Sequence, residues 1–131
     1  MITITGTVPD VRPYLQHAAV VVAPMRLARG VQNKILEAMA MGRPVVAAAE
    51  CVSAIDAKDG EGLVAASSVP GYVSAIDGLL QSATRATAMG ERGRACVLRG
   101  YSWDAHLAAM DAYLPDVAVP RRPERCAKIP V

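Results

Sequence analysis

The segment spanning residues 20–46 constrains the fold more than any other part of the sequence. It joins two valine-rich apolar runs, residues 19–23 and 44–49. Apolar runs bounded by turn residues are typical of strands that are covered on both faces, as in parallel sheets. Between them, residues 31–41 repeat apolar side chains at spacings of three and four, which predicts an amphipathic helix that ends at Gly42. A strand–helix–strand unit of this kind predicts a parallel α/β sheet.

The rest of the chain adds further short strands and helices to this unit. The predicted strands are residues 2–5, 19–23, 44–49 and 62–65, and the predicted helices are residues 10–17, 31–41, 70–81, 83–99 and 103–114. Gly90 and Gly93 are expected to weaken the longest helix. We therefore predict an α/β fold with an incomplete Rossmann-like parallel sheet of about four strands, flanking helices and a helical C-terminal third. Residues 1–114 are expected to form the domain, and residues 115–131, with their prolines and arginines, a flexible tail.

Composition limits the class of protein. Hydrophobic residues make up 53% of the 131 residues and charged residues 20%, as in globular proteins. The net charge of +2 does not indicate a nucleic-acid partner. The three cysteines show no CxxC or Cys/His spacing, so neither a disulfide framework nor a zinc site is predicted. Because we find no signal peptide and no apolar run of the roughly 18–20 residues that a membrane span needs, we expect a cytoplasmic protein.

The loop before the central helix has the features of an anion-binding site. Residues 24–30 connect the carboxyl end of a strand to a helix N-terminus, which is where α/β sheets bind ligands. Unpaired N–H groups and the helix dipole favour phosphate there, and Gly30 lets a ligand approach the backbone. Arg26, Arg29 and Lys34 oppose the dipole, and a bound anion would remove this conflict. The alternative interpretation is that the two arginines are solvated loop charges.

Glu37 lies on the side of the predicted helix that faces away from the apolar stripe. Its spacing from Gly30, Asn33 and Lys34 places these four residues on one face. A carboxylate roughly 10 Å from a phosphate-binding helix end is placed to accept hydrogen bonds from the hydroxyls of a ribose. The pattern therefore indicates a sugar-nucleotide diphosphate along this face. An ordinary exposed ion pair between Glu37 and Lys34 is the alternative interpretation.

Three segments of the sequence resemble a known family. They are TGTVPDVRPYL near the N-terminus, NKILEAMAMGRPVVA in the central segment and YSWD in the C-terminal third. These segments are similar to the donor-binding C-terminal domain of retaining glycosyltransferases of family 4, which have the two-domain GT-B fold. The sequence most resembles the sugar transferases associated with exopolysaccharide and PEP-CTERM systems. The resemblance extends over residues 2–114.

The resemblance implies roles for individual residues. Glu37 matches the second glutamate of the family's Glu-x7-Glu motif, which binds the ribose hydroxyls of the donor. Arg29 stands where the family has the first glutamate, a contact to the donor sugar, and this departure suggests that Arg29 faces the diphosphate instead. The candidate catalytic residues are Arg29 and Glu37, and the candidate donor-binding residues are Gly6, Thr7, Val8, Arg26, Gly30, Val31, Gln32, Asn33, Lys34 and Glu37. No metal ion or other cofactor is expected, since the helix dipole and basic side chains neutralise the leaving diphosphate.

The resemblance also implies partners. Family members bind the acceptor with an N-terminal domain and begin the donor domain with two further strands. No part of this sequence resembles the N-terminal domain or these two strands. We therefore expect the donor-binding portion of a glycosyltransferase that transfers a sugar to a polysaccharide or lipid-linked acceptor, without turnover by this chain alone. Either residues 2–5 pair directly beside residues 19–23, or a homodimer partner or the missing N-terminal domain covers that strand's edge. A peripheral position at an anionic membrane is suggested by the basic residues Arg121, Arg122, Arg125 and Lys128.

Other functions stay open from the residues alone. A non-catalytic α/β fragment or interaction module would need a partner for its sheet edge. A receiver-like signalling domain requires an acidic cluster at its strand ends, where this sequence offers only Glu50. A sugar-nucleotide epimerase of the same architecture requires two domains.

Overall fold

Three parallel strands form the centre of the structure. The computed structural model describes residues 2–25, 30–55, 57, 60, 62–111 and 113. Within these residues the elements are, in chain order, α1 (Arg12–His17), β1 (Val21–Ala23), α2 (Asn33–Ala40), β2 (Val45–Ala48), α3 (Ala49–Val52), β3 (Leu63–Ala66), α4 (Val69–Leu80), α5 (Ala83–Gly100) and α6 (Trp103–Asp111).

The sheet is parallel throughout, with the strand order β1–β2–β3. Val21 pairs with Val45, which in turn pairs with Leu63. The central strand β2 has all four of its residues buried, which confirms the prediction of a strand covered on both faces. The parallel sheet, the flanking helices and the helical C-terminal part confirm the predicted α/β class.

Residues 2–5 do not form the predicted strand, so the sheet of the described residues has one strand fewer than predicted. Ile2 and Ile4 are 93% and 91% exposed. The β propensity of isoleucine and threonine reflects packing on a half-buried sheet surface, and these side chains have no such surface. The predicted pairing of residues 2–5 beside β1 is therefore wrong. In the described part of the chain, no strand pairs with the free side of β1, and the cover of this edge by a partner stays a prediction.

Helices cover both faces of the sheet. One hydrophobic cluster lies between the sheet and helices α2 and α3, and a second lies between the sheet and α4. Neighbouring residues of β2 point to opposite faces, so Val45 belongs to the first cluster and Val46 to the second. The largest fully buried side chains are those of Ile35, Met39, Leu63, Val45, Val46 and Cys51.

Helix α5 passes from one face of the sheet to the other. Met89 packs in the cluster beside α4, whereas Cys96 and Val97 pack in the cluster beside α2. Between them, Gly90 and Gly93 lie against the turns that precede β2 and β3. The helix therefore crosses the amino edge of the sheet.

Close contacts between backbones require the two glycines of α5. A Cβ at Gly90 would overlap with the carbonyl oxygen of Gly42, and one at Gly93 would lie 2.8 Å from the Cα of Gly62. Gly42 has a φ of +68°, and it ends α2 in the left-handed conformation, as predicted. The expectation that Gly90 and Gly93 weaken the helix considered only the intrinsic helix propensity of glycine. In the fold, their missing side chains let α5 reach the sheet.

Some helix ends differ from the predicted ones. Helix α2 begins at Asn33 rather than at Val31, whose side chain is 43% exposed. The N-cap of α1 is Val11, while the Asp10 carboxylate accepts hydrogen bonds from the backbone and side chain of Arg12. Residues 114–131, which contain the predicted tail, lie outside the described residues. No helix within the described part is long and apolar enough to cross a membrane.

Candidate functional site

The carboxyl edge of the sheet gathers several chain segments. Because the strands are parallel, they all end at this edge, at Ala23, Ala48 and Ala66. Helix α2 connects two parallel strands, so its N-terminus lies at the same edge. This is the position at which α/β sheets bind ligands.

The N-terminus of α2 has no side-chain cap. Gln32 is the N-cap residue, but its side chain makes no capping hydrogen bond and instead donates to the Gly30 carbonyl oxygen at 3.3 Å. Gly30 has a φ of +66°, which strains any residue with a side chain, and no atom lies within 4 Å of the position that a Cβ would take. The side chain of the N-cap residue therefore leaves the first-turn N–H groups of Asn33 and Lys34 without a cap.

Positive charge collects at this end of α2. The helix has no acidic residue in its first turn, and Lys34 is exposed there. The partial positive charge of a helix N-terminus adds to that of the ammonium group. Arg26 and Arg29 lie outside the described residues, so the structure says nothing of their positions. For Lys34, the structure shows the unfavourable placement of a cation that the sequence indicated.

Asn33 and Glu37 share a shallow groove between α2 and α5. The groove has a volume of about 250 Å³ and is lined by Asn33, Leu36, Glu37, Ala40, Val97 and Tyr101. Glu37 is exposed, and among the described residues its carboxylate forms no ion pair, so the Lys34–Glu37 pair is not made. Lys34 does not line the groove, and Gly30 precedes the helix. Of the four residues predicted to share one face, Asn33 and Glu37 line the groove.

The other candidate residues lie apart from the groove. Gly6 and Thr7 are exposed and Val8 is partly buried in the segment before α1, and none of the three lines the groove. Val31 is exposed just before α2, next to the N-cap residue Gln32. The structure thus brings the residues of α2 together and leaves those of the N-terminal segment elsewhere.

A larger cavity lies along the carboxyl edge, where all three strands end. Its volume is about 450 Å³, and it is lined by Pro24, Met25, Ala48, Glu50, Ala66, Ser67, Ser68, Val69 and Tyr72. None of these residues also lines the α2–α5 groove. We call it the edge cavity. Sequence reasoning missed it, although Glu50, Ser67 and Ser68 directly follow the ends of β2 and β3, where a ligand site was to be expected.

Tyr72 is the most unusual residue of the edge cavity. Its hydroxyl oxygen is buried and has no hydrogen-bond partner among the residues that the structure describes. Burial raises the pKa of the Tyr72 phenol, and electrostatic interactions with the nearby Cys51 and Glu50 raise it further. The hydroxyl therefore stays protonated at neutral pH and is available as a donor.

The comparisons with known proteins gave one match. A family model described as "Glycosyl transferases group 1" matches residues 1–82. This span contains the sheet, the α2 side of the groove and all residues that line the edge cavity. Val97 and Tyr101, which complete the groove, lie beyond it. No curated protein and no solved structure matches the chain.

Proposed function

Because the chain belongs to the group 1 glycosyl transferases, we propose that it binds the sugar donor of a glycosyl transfer reaction at the N-terminus of α2. The proposed donor is a nucleoside diphosphate sugar, and the proposed acceptor is a polysaccharide or a lipid-linked sugar. The assignment to the retaining enzymes of family 4 and to exopolysaccharide synthesis is supported by the resemblance of the sequence. Helix α2 supplies the donor side of the reaction.

The uncapped N-terminus of α2 is the observation that carries this proposal. The N-cap residue Gln32 provides no side-chain cap for its first-turn N–H groups, and Lys34 adds a full positive charge beside them. A diphosphate satisfies these donors and turns the unfavourable cation into a favourable contact. Gly30 leaves room for it, since no atom of the described residues fills the space where its side chain would be. Arg26 and Arg29, by their place in the sequence, supply further charge to the leaving diphosphate.

The ribose is assigned to Glu37. One turn of helix separates Asn33 from Glu37, about 6 Å along the helix axis, so phosphates at the helix end bring the ribose to the groove. The exposed carboxylate has no ion-pair partner among the described residues and accepts hydrogen bonds from the two hydroxyls. Tyr101 and Val97 form the opposite wall. Gly6, Thr7 and Val8 are proposed as the contact to the base on the strength of the resemblance.

Calorimetry on the full chain tests the proposal. The uridine, guanosine and adenosine diphosphates are titrated separately, and at least one is expected to bind. Glu37→Gln is expected to weaken that binding about tenfold or more, because a hydrogen bond to a charged group contributes about 1.5–3 kcal/mol. The loss should be smaller when the matching 2′-deoxynucleotide is used, since only the 3′-hydroxyl then remains to donate a hydrogen bond to Glu37. Glu91→Gln, an exposed change on α5, serves as the matched control.

Two results contradict the proposal. One is the absence of binding by all three nucleoside diphosphates. The other is a Glu37→Gln variant that binds the ribonucleotide as tightly as the original chain does. An equal loss for ribonucleotide and deoxyribonucleotide would assign Glu37 to a different part of the donor.

A further inference from the structure

The edge cavity is not used by the donor groove. Its volume of about 450 Å³ lies in the range of pockets that hold small molecules. From its lining, we propose that the edge cavity binds one ring of a neutral sugar, with Tyr72, Ser68 and Glu50 as its hydrogen-bonding groups. This inference deepens the proposed function and rests on it for the choice of a sugar among neutral polyhydroxylated ligands.

The N-terminus of α4 borders the cavity but is not arranged to hold a phosphate. Pro70 has no N–H group, and the Gly71 N–H donates to the Ser68 hydroxyl oxygen at 3.3 Å. The Tyr72 N–H donates to the Ser68 carbonyl oxygen at 3.0 Å. Helix α2, in contrast, begins without a side-chain cap. The two helix ends at this edge therefore differ, and α4 has few donors left for an anion.

Charge also favours a neutral ligand. Glu50 lies in the cavity wall, and its carboxylate repels a phosphate or a carboxylate. The described lining residues include no lysine and no arginine that would offset this charge. A hydroxyl group, in contrast, donates a hydrogen bond to a carboxylate at no electrostatic cost.

The polar groups of the cavity match the hydroxyls of a sugar ring. Within the described part of the chain the Tyr72 hydroxyl has no hydrogen-bond partner, and a ligand oxygen that reaches it would satisfy it. The Ser68 hydroxyl oxygen accepts from Gly71, so its own O–H group is left to donate. The carboxylate of Glu50 is exposed and accepts hydrogen bonds from the hydroxyls of the ligand. An apolar wall for the C–H face of the ring is formed by Pro24, Met25 and Val69.

Nuclear magnetic resonance on the isotopically labelled full chain tests this inference. D-glucose, D-galactose, D-mannose and N-acetyl-D-glucosamine are titrated separately, and at least one is expected to shift the amide resonances of Ser67, Ser68 and Tyr72. Tyr72→Phe and Glu50→Gln are each expected to weaken that binding at least fivefold. Tyr72→Phe removes an oxygen that makes no hydrogen bond, so the variant keeps its fold. The controls are Tyr14→Phe and Glu91→Gln, both at exposed positions outside the edge cavity.

Two further titrations identify where the sugar comes from. If the cavity holds the donor's sugar, a nucleoside diphosphate sugar shifts the cavity amides and those of residues 30–34 with one affinity. If it holds the acceptor's sugar, the methyl glycoside of the sugar that binds in the first titrations still binds the cavity when residues 30–34 are saturated with the nucleoside diphosphate sugar. The inference is overturned if none of the four sugars shifts the cavity amides, or if both variants bind as the original chain does. The proposed function fails separately, when nucleoside diphosphates leave residues 30–34 unshifted while the sugar-dependent shifts persist.

Discussion

Glu37 and Tyr72 are polar residues of the two proposed sites, and they differ in how far their polar groups are exposed. Glu37 is exposed on α2, and its carboxylate is free to rearrange around a ligand. Tyr72 packs in the cluster beside α4, and only its hydroxyl is left without a partner. A buried hydroxyl without a hydrogen bond destabilises the fold by about 1–3 kcal/mol. Tyr72 is therefore held in place by its ring and not by its polar atom.

The phenol of Tyr72 is expected to ionise at a higher pH than an ordinary tyrosine. Burial raises its pKa above the ordinary value of 10.0, and Cys51 and Glu50 add to the rise. The folded state thus holds this proton more tightly than the unfolded state. The resulting stability is present below a pH of about 10 and is lost as the pH rises through the raised pKa.

A titration followed by tyrosinate absorbance measures this difference. The original chain is expected to show a late ionisation step that Tyr72→Phe removes and Tyr14→Phe retains. A late step that persists in Tyr72→Phe would show that another tyrosine is responsible.

At the scale of residues, the sequence could predict what depends on one helix alone. Glu37 faces away from the apolar stripe because the helical period decides its side, and this was correct. The position of Gly30 relative to α2 was not, because the helix begins three residues after it, at Asn33. The position of Tyr72 and Glu50 in the wall of one cavity was not foreseen, since it depends on how α4 packs against the end of β2.

Helix α5 is the element on which both faces of the sheet depend. It packs in both hydrophobic clusters and contacts the turns before β2 and β3 through glycine backbones. Two side chains add hydrogen bonds at the same turns and at α2, where Arg92 donates to the Gly60 carbonyl at 3.2 Å and Arg94 to the Ala40 carbonyl at 3.1 Å. The packing of α5 against the sheet therefore depends on the close approach of its backbone to the backbones of Gly42 and Gly62.

Gly90→Ala is expected to destabilise the protein by about 3 kcal/mol, because the new methyl group overlaps with a backbone carbonyl that cannot move alone. Gly78→Ala is the matched control in α4, where the Cβ would meet only the end of the Arg85 side chain, at 3.7 Å. That change is expected to stabilise by about 0.5–1 kcal/mol through helix propensity. Urea unfolding followed by circular dichroism measures both. Equal losses in the two variants would show that the contact with Gly42 is unimportant.

At the scale of elements, the sequence could predict a strand where an apolar run is buried on both faces of the sheet. The apolar run that becomes β2 is covered on both faces, and its pattern indicated this. Residues 2–5 have the same β-branched character, but no strand of the described residues lies beside them, and strand formation needs a neighbouring strand. From the sequence, the glycines of α5 were expected only to weaken the helix. Their contacts could not be predicted, because the turns that they contact are distant along the chain.

At the scale of the whole molecule, the sheet of the described residues ends at two outer strands, β1 and β3, and no described strand pairs with the outer edge of β1. The backbone of Val21 bonds to β2, its N–H group donating to the Pro44 carbonyl at 3.0 Å, so in a parallel ladder the groups of Val22 point to the free edge. Val22 is 40% exposed. Unpaired groups along an apolar strand favour pairing with another strand, and we propose that a second copy of the chain covers this edge.

Sedimentation equilibrium at increasing protein concentration is expected to show self-association through β1. Val22→Pro should weaken it at least tenfold, since proline removes an N–H group from the free edge and leaves the bonds to β2 intact. Val22→Thr keeps the strand propensity and should associate as the original chain does. A chain that stays monomeric at every concentration contradicts a homodimer.

Helix α5 also acts as a spacer of fixed length. One part of it is held against Gly42 and Gly62, and its last residues lead to Tyr101 in the groove beside Glu37. A single residue inserted between Gly93 and Val97 would turn everything beyond it by about 100° around the helix axis. Tyr101 would leave the groove, although Asn33 and Glu37 would not have moved. The contacts of α5 at the opposite edge of the sheet therefore fix the position of Tyr101 and with it the shape of the groove. Mutations in the body of α5 are expected to alter ligand affinity although these residues do not contact the ligand.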